Sequence, residues 1–331
     1  MANSRLCSVL ALLGCPSSIA LADFDYNDFS STEGLALNQD AVGFGTRLRL
    51  AFARESSVGT AYFNQKQIVR NGFETTFEFV ITEPSRNFGP GDGFSFIIQN
   101  EKITALGGGG GGEGFSGISN SLAVEFDVFI NCEIGDPLYE HVAVQTNETG
   151  PNSAQGIHTI ALSKQGPRLS EGGRHAVRIL YEPNTLAVYV DSIKRVEAAV
   201  DLDKTLRLDE GKAWVGFTGA TGGAFANFDI FNWFWRERSS QFSRGDATGD
   251  GVINIVDPIR TLEFLFSDGV LSCLDAADAD DNGRLEITDA IGVLGFLFLG
   301  TFPPAAPLEE CGGDPSADQI SCEAYEACDE R

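Results

Sequence analysis

Basic side chains are scarce in this chain: 23 Lys and Arg stand against 47 Asp and Glu, for a formal net charge of -24. Such a surface repels phosphate backbones and anionic headgroups, so nucleic-acid partners are excluded and divalent cations are favoured. No apolar run after the N-terminus approaches the ~18 residues that cross a bilayer, so no membrane span is expected. Methionine occurs once and Trp three times, whereas Phe reaches 25 and Gly 38. Aromatic strands joined by glycine turns suit a β-sandwich better than a helical bundle. Histidine is rare too, with three in the chain. His158 and His175 stand at strand starts away from acidic clusters and read as ordinary, which leaves His141.

The first 22 residues carry Arg5, an apolar stretch from Leu6 to Leu13 and Ala20-Leu21-Ala22. This is the pattern of a secretory signal peptide with an A-x-A cleavage site, which makes the mature protein secreted or extracytoplasmic. Leu12-Leu13-Gly14 before Cys15 is the alternative, a lipoprotein signal. Beyond it five Cys remain, four of them (Cys273, Cys311, Cys322, Cys328) near the C-terminus. That grouping predicts two disulfides in an oxidising compartment, with connectivity open, and leaves Cys132 free.

From 23 to 237 short strands alternate with Gly, Pro and Asn separators, as in 73–81, 93–100, 121–130, 175–182, 213–221 and 228–236. Phe73, Thr75, Phe77 and Phe79 show the period of two directly. The expected fold is all-β, a sandwich, with Trp214, Trp233 and Trp235 as core or inter-sheet contacts.

Within that stretch, EFDVFINCEIGDPLYEH (125–141) concentrates Glu125, Asp127, Asn131, Asp136 and His141. Residues two apart on a strand share a face, so Glu125 and Asp127 point the same way, and the loop beyond can return the other three to meet them. Carboxylates with an amide and a carbonyl suit Ca²⁺, and an added imidazole suits Mn²⁺ or another transition ion.

This segment resembles the metal loop of the legume-type (L-type) lectins. The resemblance continues through 23–29, 60–65, GDGFSFIIQN (91–100) and AWVGFTGATGG (213–223), and implies a concanavalin-like jelly-roll. It implies a transition ion at Glu125, Asp127, Asp136 and His141, and Ca²⁺ at Asp127, Asn131, Asp136 and the Phe129 carbonyl. For a glycan or polysaccharide it implies Asp92 after a cis peptide, Asn131, the Phe129 ring and the Gly114 N–H. Gly91 stands where the family usually has Ala. The glycine run 107–112 by itself reads as a flexible linker, but it falls where the family has its sugar loop.

A second module begins near Ser243. GDATGDGVINIVDPIRTLEFLF (245–266) and ADADDNGRLEITDAIGVLGFLF (277–298) are two copies offset by 32 residues. EF-hand loop spacing selects Asp246, Thr248, Asp250, Val252 (carbonyl), Asn254 and Asp257, then Asp278, Asp280, Asn282, Arg284 (carbonyl), Glu286 and Asp289. Position 12 is Asp, and no helix-like text precedes either loop. These features, with an apolar helix after each loop, resemble dockerin type I repeats, which implies Ca²⁺ and a cohesin-like or cell-surface protein partner.

The expected division is a signal peptide (1–22), a lectin sandwich (23–237), a dockerin-like module of helical, calcium-loop character (243–302) and a stapled, Cys-containing tail (303–331). The leading function is reversible carbohydrate recognition without catalysis. One alternative is a glycoside hydrolase on the same sandwich, since Glu125-x-Asp127 offers paired carboxylates. The hydrolases in question add another Glu where Ile130 and Asn131 stand. The other alternative is a structural surface protein that has lost its sugar site.

Overall fold

The computed structural model describes residues 24–164, 168–171, 173–238, 241–316, 320, 322 and 325–329. The segment expected to be a signal peptide, 1–22, with Cys15, lies outside them. Two antiparallel sheets of eight strands each face one another. The back sheet runs Ile193–Ala199, Thr185–Val190, His175–Glu182, Phe73–Thr82, Asn227–Glu237, Arg47–Ala51 and Val42–Phe44, with Phe24–Tyr26 added to Asn227–Glu237. The front sheet runs Thr159–Leu162, His141–Thr146, Ser121–Asp127, Gly93–Gln99, Lys212–Ala220, Val58–Phe63 and Leu35–Gln39, with Gln67–Ile68 added to Lys212–Ala220.

The alternating strand Phe73–Thr82 shows why the sheets stack. Phe73, Phe77 and Phe79 point inward and are at most 1% exposed. Phe77 meets Phe217 edge-on at 4.9 Å between ring centroids, and Phe94 stacks on Phe126 at 4.8 Å. Each such ring, taken fully out of water, contributes roughly 1.5–3 kcal/mol. Trp233 and Trp235 are buried as expected, and Trp233 Nε1 donates to Thr75 Oγ1 at 2.9 Å. Trp214 is half-buried and packs instead on a smaller cluster around Tyr62 and Ile97.

The strand expected at 121–130 ends at Asp127. Asp127 Oδ1 accepts the Phe129 N–H at 2.7 Å, which turns the chain out of the sheet. His141, expected in a returning loop, opens a strand of its own, His141–Thr146.

Beyond Glu237 the chain becomes helical. Val256–Phe266 and Ile287–Leu299 pack against each other, and Gly300, at φ 62, closes the second in the left-handed region. A short helix, Leu274–Ala277, does precede the second loop, contrary to the sequence expectation. Its apolar Ala276 and Ala277 are buried, so packing compensates for a segment too short to show helical periodicity. The disulfides are Cys273–Cys322 and Cys311–Cys328, and Cys132 is free and exposed.

The tail is more than a stapled appendix. Phe242 and Gly312 exchange backbone hydrogen bonds at 2.9 and 3.0 Å, and Tyr325 is buried against Phe242. Arg244, fully buried, donates to the carbonyls of Ala306, Asp275 and Asp278 and pairs with Asp281 and Asp314. A buried guanidinium must satisfy all its N–H groups, which draws the tail onto the loops.

Candidate metal and sugar site

Strand register builds the centre. Asp127 lies opposite Gly93 on one side and His141 on the other, while Glu125 lies between Ser95 and Ala143. Period two sends Val124 and Phe126 into the sandwich and Glu125 and Asp127 to the opposite face. There they remain buried, at 1% and 3% exposure, because the loops fold over them.

Asn131 N–H donates to Asp136 Oδ2 at 2.7 Å, so the loop closes on itself and carries Asp136 back toward the strand. Candidate ligand atoms of Asp127, Asp136 and His141 lie within 4.8 Å of one another, and His141 Nε2 is 3.9 Å from Glu125 Oε2. Gln145, which the sequence reading passed over, donates from Nε2 to Glu125 Oε2 at 2.8 Å and holds that carboxylate in place.

The electrostatics are those of negative charge confined away from water. Burial pushes Glu125 up to about 8, with Asp136 adding repulsion. Asp127 is raised well above the usual carboxylate range by burial, then by Glu125 and Asp136. Burial likewise lowers His141 to about 4, so its ring is neutral at pH 7 and has a lone pair to offer. Carboxylate oxygens with one neutral imidazole fit a hard or borderline divalent cation.

The neighbouring end of the front sheet assembles a second set of groups. The Gly91–Asp92 peptide is cis, as the resemblance implies. Asp92 N–H donates to Ala220 O and Val128 N–H donates to Asp92 O, both at 3.0 Å, which sets this residue between the two strand ends. Burial, foremost, and Asp136 raise Asp92 to about 6, with the Gly222 amide acting against them. Asp92 Oδ2 and Asn131 Oδ1 are buried and have no hydrogen-bond partner in the protein. Unpartnered buried oxygens cost free energy, on the order of 1–3 kcal/mol each, and such groups call for a ligand. Phe129 is half-buried beside them, its Cβ against Gly91.

The glycine run is a folded loop, not a linker. Gly110–Gly112 form a 3-10 turn, and Gly110 N–H donates to Thr221 O at 3.1 Å. A Cβ on Gly111 would sit 2.9 Å from Asn131 Oδ1, and one on Gly222 would sit 2.9 Å from Asp92 Oδ2. Backbone can approach these side chains only because both residues lack one.

Gly114 needs correction. Its N–H donates to Gly108 O at 2.8 Å within the loop, so it is not directed at a ligand. Gly111, lying against the Asn131 amide, takes its place beside the site. Glu113 was also missed; the nearest signal was an acid ending a glycine run.

The C-terminal loops are built differently. Asp246 Oδ2 accepts Gly251 N–H at 2.7 Å, and Asp278 Oδ2 accepts Gly283 N–H at 2.9 Å. Asp257 accepts the amides of Asn254 and Thr248, and Asp289 those of Glu286 and Ala279. The first and last acids of each loop are thus tied to the loop's own backbone. Thr248 Oγ1 donates to Asp257 Oδ1 at 2.8 Å, and the Tyr325 hydroxyl donates to Asp246. In the second loop Asp278, Asp280 and Asp289 bring carboxylate oxygens within 4.8 Å of one another, and burial raises Asp289 to about 6. The side chains of Asp250 and Asn254 turn back onto their own loop, to Val252 N–H and Val252 O. Asn282, Arg284 and Glu286 lie along the second loop between Asp280 and Asp289.

A two-sheet jelly-roll with a carboxylate–imidazole cluster beside converging loops defines a lectin-type β-sandwich. The family described as "Legume lectin domain" matches residues 21–248, and the chain belongs to that family. Agglutinin-2 of Cladrastis kentukea is 32% identical over 49% of this chain, which spans 56% of the agglutinin's length. Lectin 1 of Medicago truncatula is 29% identical over 70% of this chain and 87% of its own. Among solved structures, the basic winged bean lectin with Tn-antigen superposes at a TM-score of 0.54, with 27% identity, over 65% of this chain and 97% of its own. The lectins of this family bind carbohydrate and are not enzymes, although one relative, of Arabidopsis thaliana, is an L-type lectin-domain containing receptor kinase. The family match ends eleven residues past the last strand, short of both helices.

Proposed function

We propose that this protein is a secreted carbohydrate-binding lectin whose sugar site depends on Ca²⁺ and a transition ion such as Mn²⁺. The observation that carries it is the pair of buried, unpartnered oxygens, Asp92 Oδ2 lying against Gly222 and Asn131 Oδ1 lying against Gly111. Asp92 accepts hydrogen bonds from sugar hydroxyls, the Phe129 ring covers an apolar sugar face, and Asn131 serves ligand and cation together. Glu125, Asp127, Asp136 and His141 hold the transition ion; Asp127, Asn131, Asp136 and the Phe129 carbonyl hold Ca²⁺. Bound cations neutralise the buried carboxylates and keep the loop 128–140 in its binding shape.

The winged bean lectin solved with Tn-antigen makes that antigen a first probe. A glycan array read with and without EDTA tests the proposal: sugar binding should vanish on chelation and return with Ca²⁺ and Mn²⁺. Binding indifferent to EDTA would overturn it. The hydrolase alternative is not favoured, since Asp127 clusters with Asp136 and His141, and Glu125 Oε2 lies 3.9 Å from His141 Nε2.

We further propose that residues 243–302 are a calcium-binding, dockerin-like attachment module. Asp246, Thr248, Asp250, Val252, Asn254 and Asp257 serve one ion, and Asp278, Asp280, Asn282, Arg284, Glu286 and Asp289 the other. Matching backbone bonds in the two loops support this reading, as do the exposed Phe266, Phe298 and Leu299 on the paired helices. Those side chains offer a partner surface for a cohesin-like or cell-surface protein. Calcium titration of the full chain, with the sandwich ligands replaced, should still report two sites.

A further inference from the structure

Glu113 is a buried acid at the centre that neither the strand pattern nor the resemblance assigns. It is fully buried, and neither Oε1 nor Oε2 has a hydrogen-bond partner in the protein. The charged groups that act on it are all carboxylates: Glu125, Asp127, Asp92 and Asp136. A buried acid with no donor and no base, set among four others, must either stay protonated or be joined by something positive.

Its placement is built, not accidental. Glu113 ends the 3-10 turn in the left-handed region, at φ 48 and ψ 23, and its N–H donates to Gly110 O at 2.9 Å. Its carbonyl accepts from Thr218 Oγ1 at 2.7 Å, and Thr218 is paired in turn with Ser95 at 2.7 Å. The side chain then lies over Gly93, where an added Cβ would come within 2.0 Å of Glu113 Oε1. Gly93 stands beside Asp127 in strand register, so the space left by its missing side chain is filled by the Glu113 carboxylate. Carboxylate oxygens of Glu113, Glu125 and Asp127 lie within 4.8 Å of one another.

We propose that Glu113 is a further metal ligand, joining Glu125 and Asp127 on the transition-ion side of the centre. This rests on the metal-centre reading given above and adds to it. The protein groups around that ion rise from four to five, all but His141 being carboxylates. Such a set favours Mn²⁺ over softer ions and retards its loss, because an extra anionic ligand must be released before the ion escapes.

The test uses the full chain. Glu113→Gln keeps the shape and removes the charge. Mn²⁺ titration of the metal-stripped protein should show affinity reduced by ~10-fold or more, and EDTA should strip Mn²⁺ faster. Glu113→Leu should melt higher than wild type without metal, yet gain less from added Mn²⁺. Unchanged Mn²⁺ affinity in either folded variant would overturn the proposal.

Should neither variant fold, anomalous diffraction from Mn²⁺-loaded wild-type crystals decides it. An ion within ~2.0–2.6 Å of a Glu113 oxygen supports the proposal, and an ion bound to Glu125 and Asp127 but beyond ~3.5 Å from Glu113 overturns it. Glu125→Gln separates the two levels. If that variant binds Mn²⁺ as wild type does, the metal-centre reading itself fails, and with it the role of Glu113.

Discussion

The two acidic regions of this protein differ in how fully they satisfy their charge. In the C-terminal loops the key carboxylates accept from their own backbone: Asp246 from Gly251, Asp278 from Gly283, Asp289 from Glu286. In the sandwich, Asp127 and Asp136 also accept from loop amides, but the Glu113 carboxylate and one buried oxygen each of Asp92 and Asn131 have no protein partner. The first arrangement is local, and a dozen consecutive residues pre-shape it. The second is assembled from segments more than a hundred residues apart, from Asp92 to Gly222, by strand register and loop packing. The local loops satisfy their acids from their own backbone, whereas the buried side-chain oxygens of the sandwich cluster are left for protonation or a cation to neutralise.

That contrast predicts where substitution is most severe. Asp136→Ala removes a proposed ligand of both sandwich ions and the acceptor for Asn131 N–H. Glycan binding should fall below detection with the sandwich still folded by circular dichroism; binding that survives would break the contrast. Asp92→Asn should weaken sugar binding by ~10–150-fold, the equivalent of ~1.5–3 kcal/mol for a charge-assisted hydrogen bond, with metal content unchanged. Unaltered affinity would move the sugar site elsewhere.

Stability against pH separates the regions next. Glu125 titrates at about 8 in the folded chain, above its ordinary 4.5, so its contribution is whole below that ordinary value and is lost as pH rises toward 8. His141, lowered to about 4 from 6.5, acts the other way, but only below pH 6.5. Between pH 6.5 and 8 the metal-stripped protein should therefore lose melting temperature, and added Mn²⁺ and Ca²⁺ should cancel the loss. A melting temperature in EDTA that rises over this window would contradict the account.

Asp289→Ala strikes the local side. Calcium stoichiometry of the full chain should drop by one while sugar affinity holds; a parallel loss of sugar binding would show that the regions are coupled. The smallest effect belongs to Cys132→Ser. This exposed free thiol lies between proposed ligands without being one, and both stability and binding should stay within about 0.5 kcal/mol of wild type.

Much of this was legible from residue order. The strands at 73–82, 175–182 and 227–237 are visible as alternation, since a half-buried strand must alternate. Glu125, Asp127, Asn131, Asp136 and His141 were found together because they are close in sequence. Both repeated acidic loops were visible for the same reason. Gly111 and Glu113 were not, since a glycine run carries no periodicity to place one residue against another. Only the turn at Gly110–Gly112 turns Glu113 inward and frees Gly111 to meet Asn131.

Residue order by itself therefore determined the sandwich pattern, the acid-rich strand and loop, the repeated loops and the grouping of four cysteines. Each depends on neighbours along the chain: period two, loop spacing and local composition. Tertiary structure decided which cysteines pair, that the tail closes on Asp246 through Tyr325, and that Glu113 fills the space over Gly93. Those outcomes depend on which distant segments share a space, and antiparallel register and side-chain volume set that only once the sheets have formed.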